Sequence, residues 1–182
     1  MNTAVKFTYE EYRTLPENGR HYQVVDGDLI MSPSPTFRHQ LIIMELSRRL
    51  AGFVADNRRG VVLFAPLDVI LSEENVFQPD ILYISNERRS VILREGLRGA
   101  PDLCVEVLSP SNRELDLTVK RLTYAKFGLP ELWIVDPDAD TLQLFRLQEN
   151  HQAPLKVFGA NDTLATPLLP GFSLPLREVF AR

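Results

Sequence analysis

What the sequence lacks narrows it first. It carries a single cysteine, Cys104, in 182 residues. One thiol builds neither an intrachain disulfide nor a thiolate metal site, which excludes zinc fingers and dithiol redox pairs and leaves no disulfide partner. No run approaches the roughly 18 uninterrupted apolar residues of a membrane span, and residues 1–12 lack the apolar stretch of a signal peptide, so a cytoplasmic protein with no membrane partner is expected. Positive charge is not in excess: 24 acidic side chains against 20 basic ones give a formal net charge of −4, which argues against a broadly basic nucleic-acid coat. Internal repeats, low-complexity tracts and long linkers are also missing, and the 13 prolines are scattered between short elements. What is present is 45% apolar residues in a length that suits one domain with one sizeable core.

The punctuation lays out the elements. Thr8, followed by Glu10 and Glu11, caps a short helix over residues 8–15. Residues 22–31 read as two strands joined at Asp26-Gly27, a hairpin signal. Over 37–56, Ile42, Ile43, Leu46, Leu50, Phe53 and Val54 recur at helical spacing and predict a helix with a core-facing stripe. Runs rich in Val, Ile and Leu predict strands at 61–71, 80–84 and 103–108. A second long helix then starts at the capping-box spacing Ser111 to Glu114 and stops at Gly128 and Pro130. Residues 132–136 and 141–147 form a hairpin about a turn at 137–140, and the segment 167–180, built around Pro170-Gly171, is expected along an edge. This order predicts an α/β or mixed α+β fold, a central mixed sheet flanked by helices.

The informative residues are acids that break the burial pattern, because a carboxylate in a core strand needs a cation, a metal or a proton. Glu106 interrupts the apolar run 103–108, and Asp80 opens the apolar run 81–84. Either alone reads equally as a salt-bridged or edge acid. In the following helix, Asp116, Lys120 and Tyr124 stand at i, i+4 and i+8 on one face, beside an apolar stripe of Leu115, Val119 and Leu122. Taken alone, Asp116 with Lys120 is most simply a surface ion pair. One short loop after a strand carrying Glu106, the same lysine can reach over the strand's end. Two acids and a lysine suffice for metal-assisted phosphodiester hydrolysis: Mg²⁺ or Mn²⁺ binds carboxylate oxygens, and the lysine positions water or neutralises charge on phosphoryl oxygens.

At Gln78-Pro79-Asp80, Gly99-Ala-Pro-Asp-Leu-Cys-Val-Glu-Val-Leu-Ser-Pro-Ser111, Asp116-x-x-x-Lys120, Tyr124-Ala and Trp133-Ile-Val-Asp-Pro137, the sequence resembles the Uma-two family, a bacterial domain of unknown function described as a restriction endonuclease, within the PD-(D/E)xK nuclease superfamily. The resemblance extends to the 31–35 motif, His39 and Pro170-Gly171-Phe172. It implies one restriction-endonuclease-like domain over 1–182, with an N-terminal helix and hairpin at about 8–32 and a C-terminal edge segment at about 150–182. It also implies that Asp80 and Glu106 hold the metal. The superfamily's usual lysine lies two residues after the second acid, where this sequence has Leu108, so the catalytic role passes to Lys120. Tyr124, Asp116 and Ser109 are auxiliary candidates in the same neighbourhood. His39 joins them, although a lone helical histidine also suits a structural role, and Asp26 is a further acid.

The expected function is a Mg²⁺- or Mn²⁺-dependent endonuclease acting on DNA. The alternative is a catalytically silent nuclease-fold module, binding or scaffolding in a mobile-element or defence system. Adjacent basic residues occur as small pairs, Arg48-Arg49, Arg58-Arg59, Arg88-Arg89 and Lys120-Arg121. They read most simply as solvated surface, so DNA contact is expected to be weak and local, shared by a homodimer for which the short strands and apolar tail argue.

Overall fold

The structure, a computed structural model, describes residues 6–16, 19–32 and 34–181. Pro33 of the 31–35 motif and residues 1–5 of the N-terminus lie outside them. Helix α1 (Tyr9–Tyr12) begins at a reciprocal cap: Thr8 Oγ1 accepts from Glu11 N–H, and the Glu11 carboxylate accepts from Thr8 N–H at 2.8 Å. Strands β1 (His21–Val25) and β2 (Asp28–Ser32) pair in register about Asp26 and Gly27. Both turn residues have positive φ, 48° and 83°, as a tight two-residue hairpin requires. Helix α2 (Phe37–Asp56) follows, capped by Thr36, whose hydroxyl accepts from His39 N–H.

Two sheets carry most of the strands. The larger uses β3 (Gly60–Phe64), β6 (Ile81–Ser85), β8 (Leu103–Val107), β9 (Glu131–Asp136), β10 (Thr141–Arg146) and β11 (Lys156–Gly159) in the order β11-β10-β9-β8-β6-β3. Only the β8–β9 pair is parallel, which makes the sheet mixed. The smaller adds β4 (Val69–Ser72), β5 (Asn75–Phe77) and β7 (Leu97–Arg98) to the hairpin, in the order β2-β1-β5-β4-β7. The expected single strand over 61–71 is therefore two strands in different sheets. Pro66 lies at the break, where a residue without N–H cannot continue a ladder. Strands as short as β5 and β7 left no periodicity to read.

Because side chains alternate along a strand, β8 faces two cores. Leu103, Val105 and Val107 pack with Ile42, Leu46 and Leu50 of α2, while Cys104 packs with Phe77 and Tyr124 on the opposite side. Glu106 shares the face of Cys104. The C-terminal segment behaves differently from an edge. After the edge strand β11 it forms a two-stranded sheet, β12 (Thr163–Leu164) with β13 (Leu174–Pro175), and helix α5 (Arg177–Phe180). Leu169, Phe172, Leu174, Leu176, Val179 and Phe180 are buried in the chain's own core against α2, so this apolar tail no longer argues for a homodimer.

The second long helix also departs from expectation. It runs as α3 (Arg113–Leu115), a π-helical turn (Asp116–Lys120) and α4 (Arg121–Lys126). Its N-cap is Asn112 with no side-chain cap, so the Ser111–Glu114 capping box does not form. Gly128, at φ 80°, ends the helix as predicted. Of the predicted stripe, Leu115 and Val119 pack against the core, whereas Leu122 is 48% exposed. Among the described residues, no helix is long and apolar enough to cross a membrane.

Candidate active site

Antiparallel pairing of Ile81 with Val105 brings Asp80, one residue before β6, level with Glu106 on β8. Val107 N–H donates to Asp80 Oδ2 at 2.7 Å and fixes that carboxylate at the strand's end. Glu106 points to the face of the sheet opposite α2, toward Phe77 and Tyr124, where it is 3% exposed. There Lys120 Nζ lies 3.2 Å from Glu106 Oε2 and 2.9 Å from Asp116 Oδ1, and Tyr124 donates its hydroxyl to Glu106 Oε1 at 2.7 Å. The widened π turn sets Asp116 and Lys120 side by side beneath the surface, a local irregularity of the kind that gathers at functional sites. Phe77 supplies a dry wall, its ring edge-on to Tyr124 and its centroid 6.0 Å from the ammonium. From the opposite side, the first turn of α2 brings His39 Nε2 to 2.9 Å from the Val107 carbonyl and 3.5 Å from Asp80 Oδ2.

The surroundings shift these groups in one direction. Burial, with the nearby carboxylates of Asp116 and Asp80, pushes the Glu106 pKa up to about 8 against the pull of Lys120 and Tyr124. Burial raises Asp116 as well, although Lys120 opposes it. Burial disfavours the Lys120 ammonium, but Glu106 and Asp116 outweigh it and hold the proton more tightly than usual. For His39, burial is likewise outweighed, by the hydrogen bond and charge of Asp80 and by the Val107 carbonyl, so its pKa rises. Burial drives the Tyr124 hydroxyl far above its ordinary value, so it serves as a donor.

Three carboxylates thus face one ammonium and one imidazole around a single cavity of about 280 Å³. Asp116 Oδ1 is buried, 2.9 Å from the Lys120 ammonium. Excess negative charge on hard oxygen donors fits a divalent cation such as Mg²⁺ or Mn²⁺. Among the described residues no group of three or more His, Cys, Asp or Glu side chains forms a ready-made cage. Such a cage is not needed by an ion that keeps several of its waters.

Asp80, Glu106, Asp116, Lys120, Ser109 and His39 all line the cavity. Tyr124 lies beneath its floor, on Glu106. Asp26 is not brought there: it occupies the closed end of the β1–β2 hairpin, where its N–H meets Asn75, while the open end, with His21 and Ser32, lines the cavity. The ion pair that sequence alone read as surface is buried, with Asp116 and Lys120 4% and 2% exposed. The sequence pointed to Gln78 only as part of the Gln78-Pro79-Asp80 motif, and Gln23 carried no assigned role. Gln23 is a buried amide that accepts from Gln78 N–H at 3.0 Å and donates to Ser32 at 3.0 Å, joining the small sheet to the wall of the cavity. An amide in the otherwise apolar strand run 22–25 was the available signal.

The model of the Uma2 family, described as "Putative restriction endonuclease", matches residues 9–177. A crystal structure of "a putative nuclease belonging to DUF820" from Anabaena variabilis ATCC 29413 superposes with a TM-score of 0.80 at 23% identity, over 96% of this chain and 98% of that one, and shares the fold. No curated protein matches the chain.

Proposed function

The chain belongs to the Uma2 family, and from that premise we propose that it is a Mg²⁺- or Mn²⁺-dependent endonuclease hydrolysing phosphodiester bonds in DNA. The observation that carries this reading is the buried Glu106 carboxylate, open to a cavity, facing Asp80 and contacted by Lys120. Asp80 and Glu106 would hold the ion, and the Val107 N–H keeps Asp80 aimed. When bound, the ion supplies Lewis-acid polarisation of the phosphate and a lower pKa for an attacking water.

The remaining roles belong to this chain's side chains. Tyr124 and Lys120 orient Glu106 from below, so that the carboxylate presents an oxygen to the cavity without rotating away. Lys120 stays protonated between Glu106 and Asp116, and its ammonium neutralises charge growing on the phosphoryl oxygens. His39, bonded to the Val107 carbonyl and 3.5 Å from Asp80 Oδ2, holds Asp80 against the end of β8. Ser109 and Asn112 supply short polar groups at the mouth.

The test is cleavage of plasmid and single-stranded DNA with Mg²⁺ or Mn²⁺, comparing the wild type with Asp80→Ala, Glu106→Ala and Lys120→Ala. Each replacement is expected to lower the rate by at least about a hundredfold, the scale of losing one preorganised electrostatic group. Cleavage that survives all three would remove the assignment.

A further inference from the structure

Resting on that reading, we infer that Phe64 is a base-stacking residue and that the site takes an unpaired strand of DNA rather than an intact duplex. Phe64 ends β3, the edge strand of the large sheet, and pairs with Ile81, the residue after Asp80. It is 62% exposed and lines the cavity beside the apolar Pro35, Ala65 and Pro66. A large ring left in water at the lip of a polar recess costs free energy that no packing within the chain recovers. A nucleobase is a flat apolar partner that would cover it.

Depth and charge lead to the same substrate. The side chains of Glu106, Asp116 and Lys120 are no more than 5% exposed, whereas Asp80 at the lip is 18% exposed. A scissile phosphate must descend past Asp80 to meet them, and a single strand can bend into such a recess. A duplex is stiff over the length of such a site and cannot fold one phosphate inward without a bending cost, whereas an unpaired strand is not so restrained. The guanidiniums nearby are committed: Arg38 to Asp140, Arg113 to Asp136, and Arg48 and Arg49 to Glu45. With phosphate contacts restricted, base stacking carries more of the affinity.

The experiment is fluorescence anisotropy of a labelled oligonucleotide, single-stranded or annealed to its complement, titrated with full-length Asp80→Asn protein so that no turnover intervenes. The single strand is expected to bind about tenfold more tightly than the duplex. Phe64→Ala should erase that preference by weakening single-strand binding about tenfold, within the scale of one aromatic stack. Phe64→Trp should keep the preference, and its added indole emission should be quenched by the strand. Equal affinity for duplex, or single-strand binding untouched by Phe64→Ala, would overturn the inference. So would a Phe64→Ala change from dimer to monomer in sedimentation with strand binding intact, since the ring and its neighbours Met44 and Val62 would then cover a second copy. Single-strand preference in a wild type that never cleaves would support this inference while removing the proposed hydrolysis.

Discussion

Glu106 and Glu131 stand on neighbouring parallel strands, 3% and 1% exposed, and burial raises the pKa of both. Their partners differ in kind. Glu131 meets neutral donors, the Trp133 indole N–H and the Thr166 hydroxyl, each at 2.7 Å, and does not line the cavity that Glu106 lines. Glu106 meets an ammonium and a phenol, shares its surroundings with Asp80 and Asp116, and lines a cavity. A buried glutamate is therefore not by itself a functional signal. Crowding by further carboxylates, with access to solvent, distinguishes the site from the structural strut.

The largest test of this contrast removes the cation. Lys120→Ala should cost about 3–5 kcal/mol in urea unfolding, because it leaves the buried Asp116 carboxylate without its cation and Glu106 without the Nζ contact. A loss below about 1 kcal/mol would mean that water already reaches the pair. Next comes Glu131→Ala, which leaves the Trp133 and Thr166 donors unsatisfied and should cost about 1–3 kcal/mol by the same measurement, with DNA cleavage within about twofold of wild type. A large loss of cleavage would make the strut functional and dissolve the distinction.

The pH dependence sharpens the comparison further. In chelator, folded Glu106 keeps its proton up to about pH 8, whereas the unfolded chain releases it near about 4.3. The folded state binds more protons across that window, so stability falls as pH rises through it. Asp116, His39 and Glu131 are shifted upward too and act with the same sign. Glu45 and Asp136, lowered by arginines, act oppositely but below the ordinary carboxylate range. The melting temperature in chelator should therefore be lower at pH 8.5 than at pH 5.5, and Glu106→Gln should flatten that slope more than Glu131→Gln. The smallest effect is expected at Asp26. Asp26→Asn, tolerated at a left-handed turn position, should shift stability by no more than about 0.5 kcal/mol and leave cleavage unchanged.

These contrasts mark how far the sequence could be read. Helix α2 was legible to the residue because its stripe spans twenty positions and its ends carry clear polar signals. Asp80 and Glu106 were legible as acids set against apolar runs, and Lys120 as the cation of the helix that follows Glu106. The division of 61–71 between two sheets was not, because both halves are equally apolar and the layering is decided by tertiary pairing. The π turn was also hidden: 116, 120 and 124 share a face on an α-helix as well, so spacing cannot report the widening that buries Asp116 with Lys120. His39 reaches Val107 across 68 positions, a contact with no local trace. Glu131 escaped notice because it begins its strand, where an acid looks ordinary.

Titration calorimetry of Mn²⁺ binding to the wild type, Glu106→Gln and Glu131→Gln bears most directly on the central claim. Ion binding is expected in the wild type, is expected to be lost in Glu106→Gln, and is expected to be retained in Glu131→Gln. Undiminished binding in Glu106→Gln would contradict that claim.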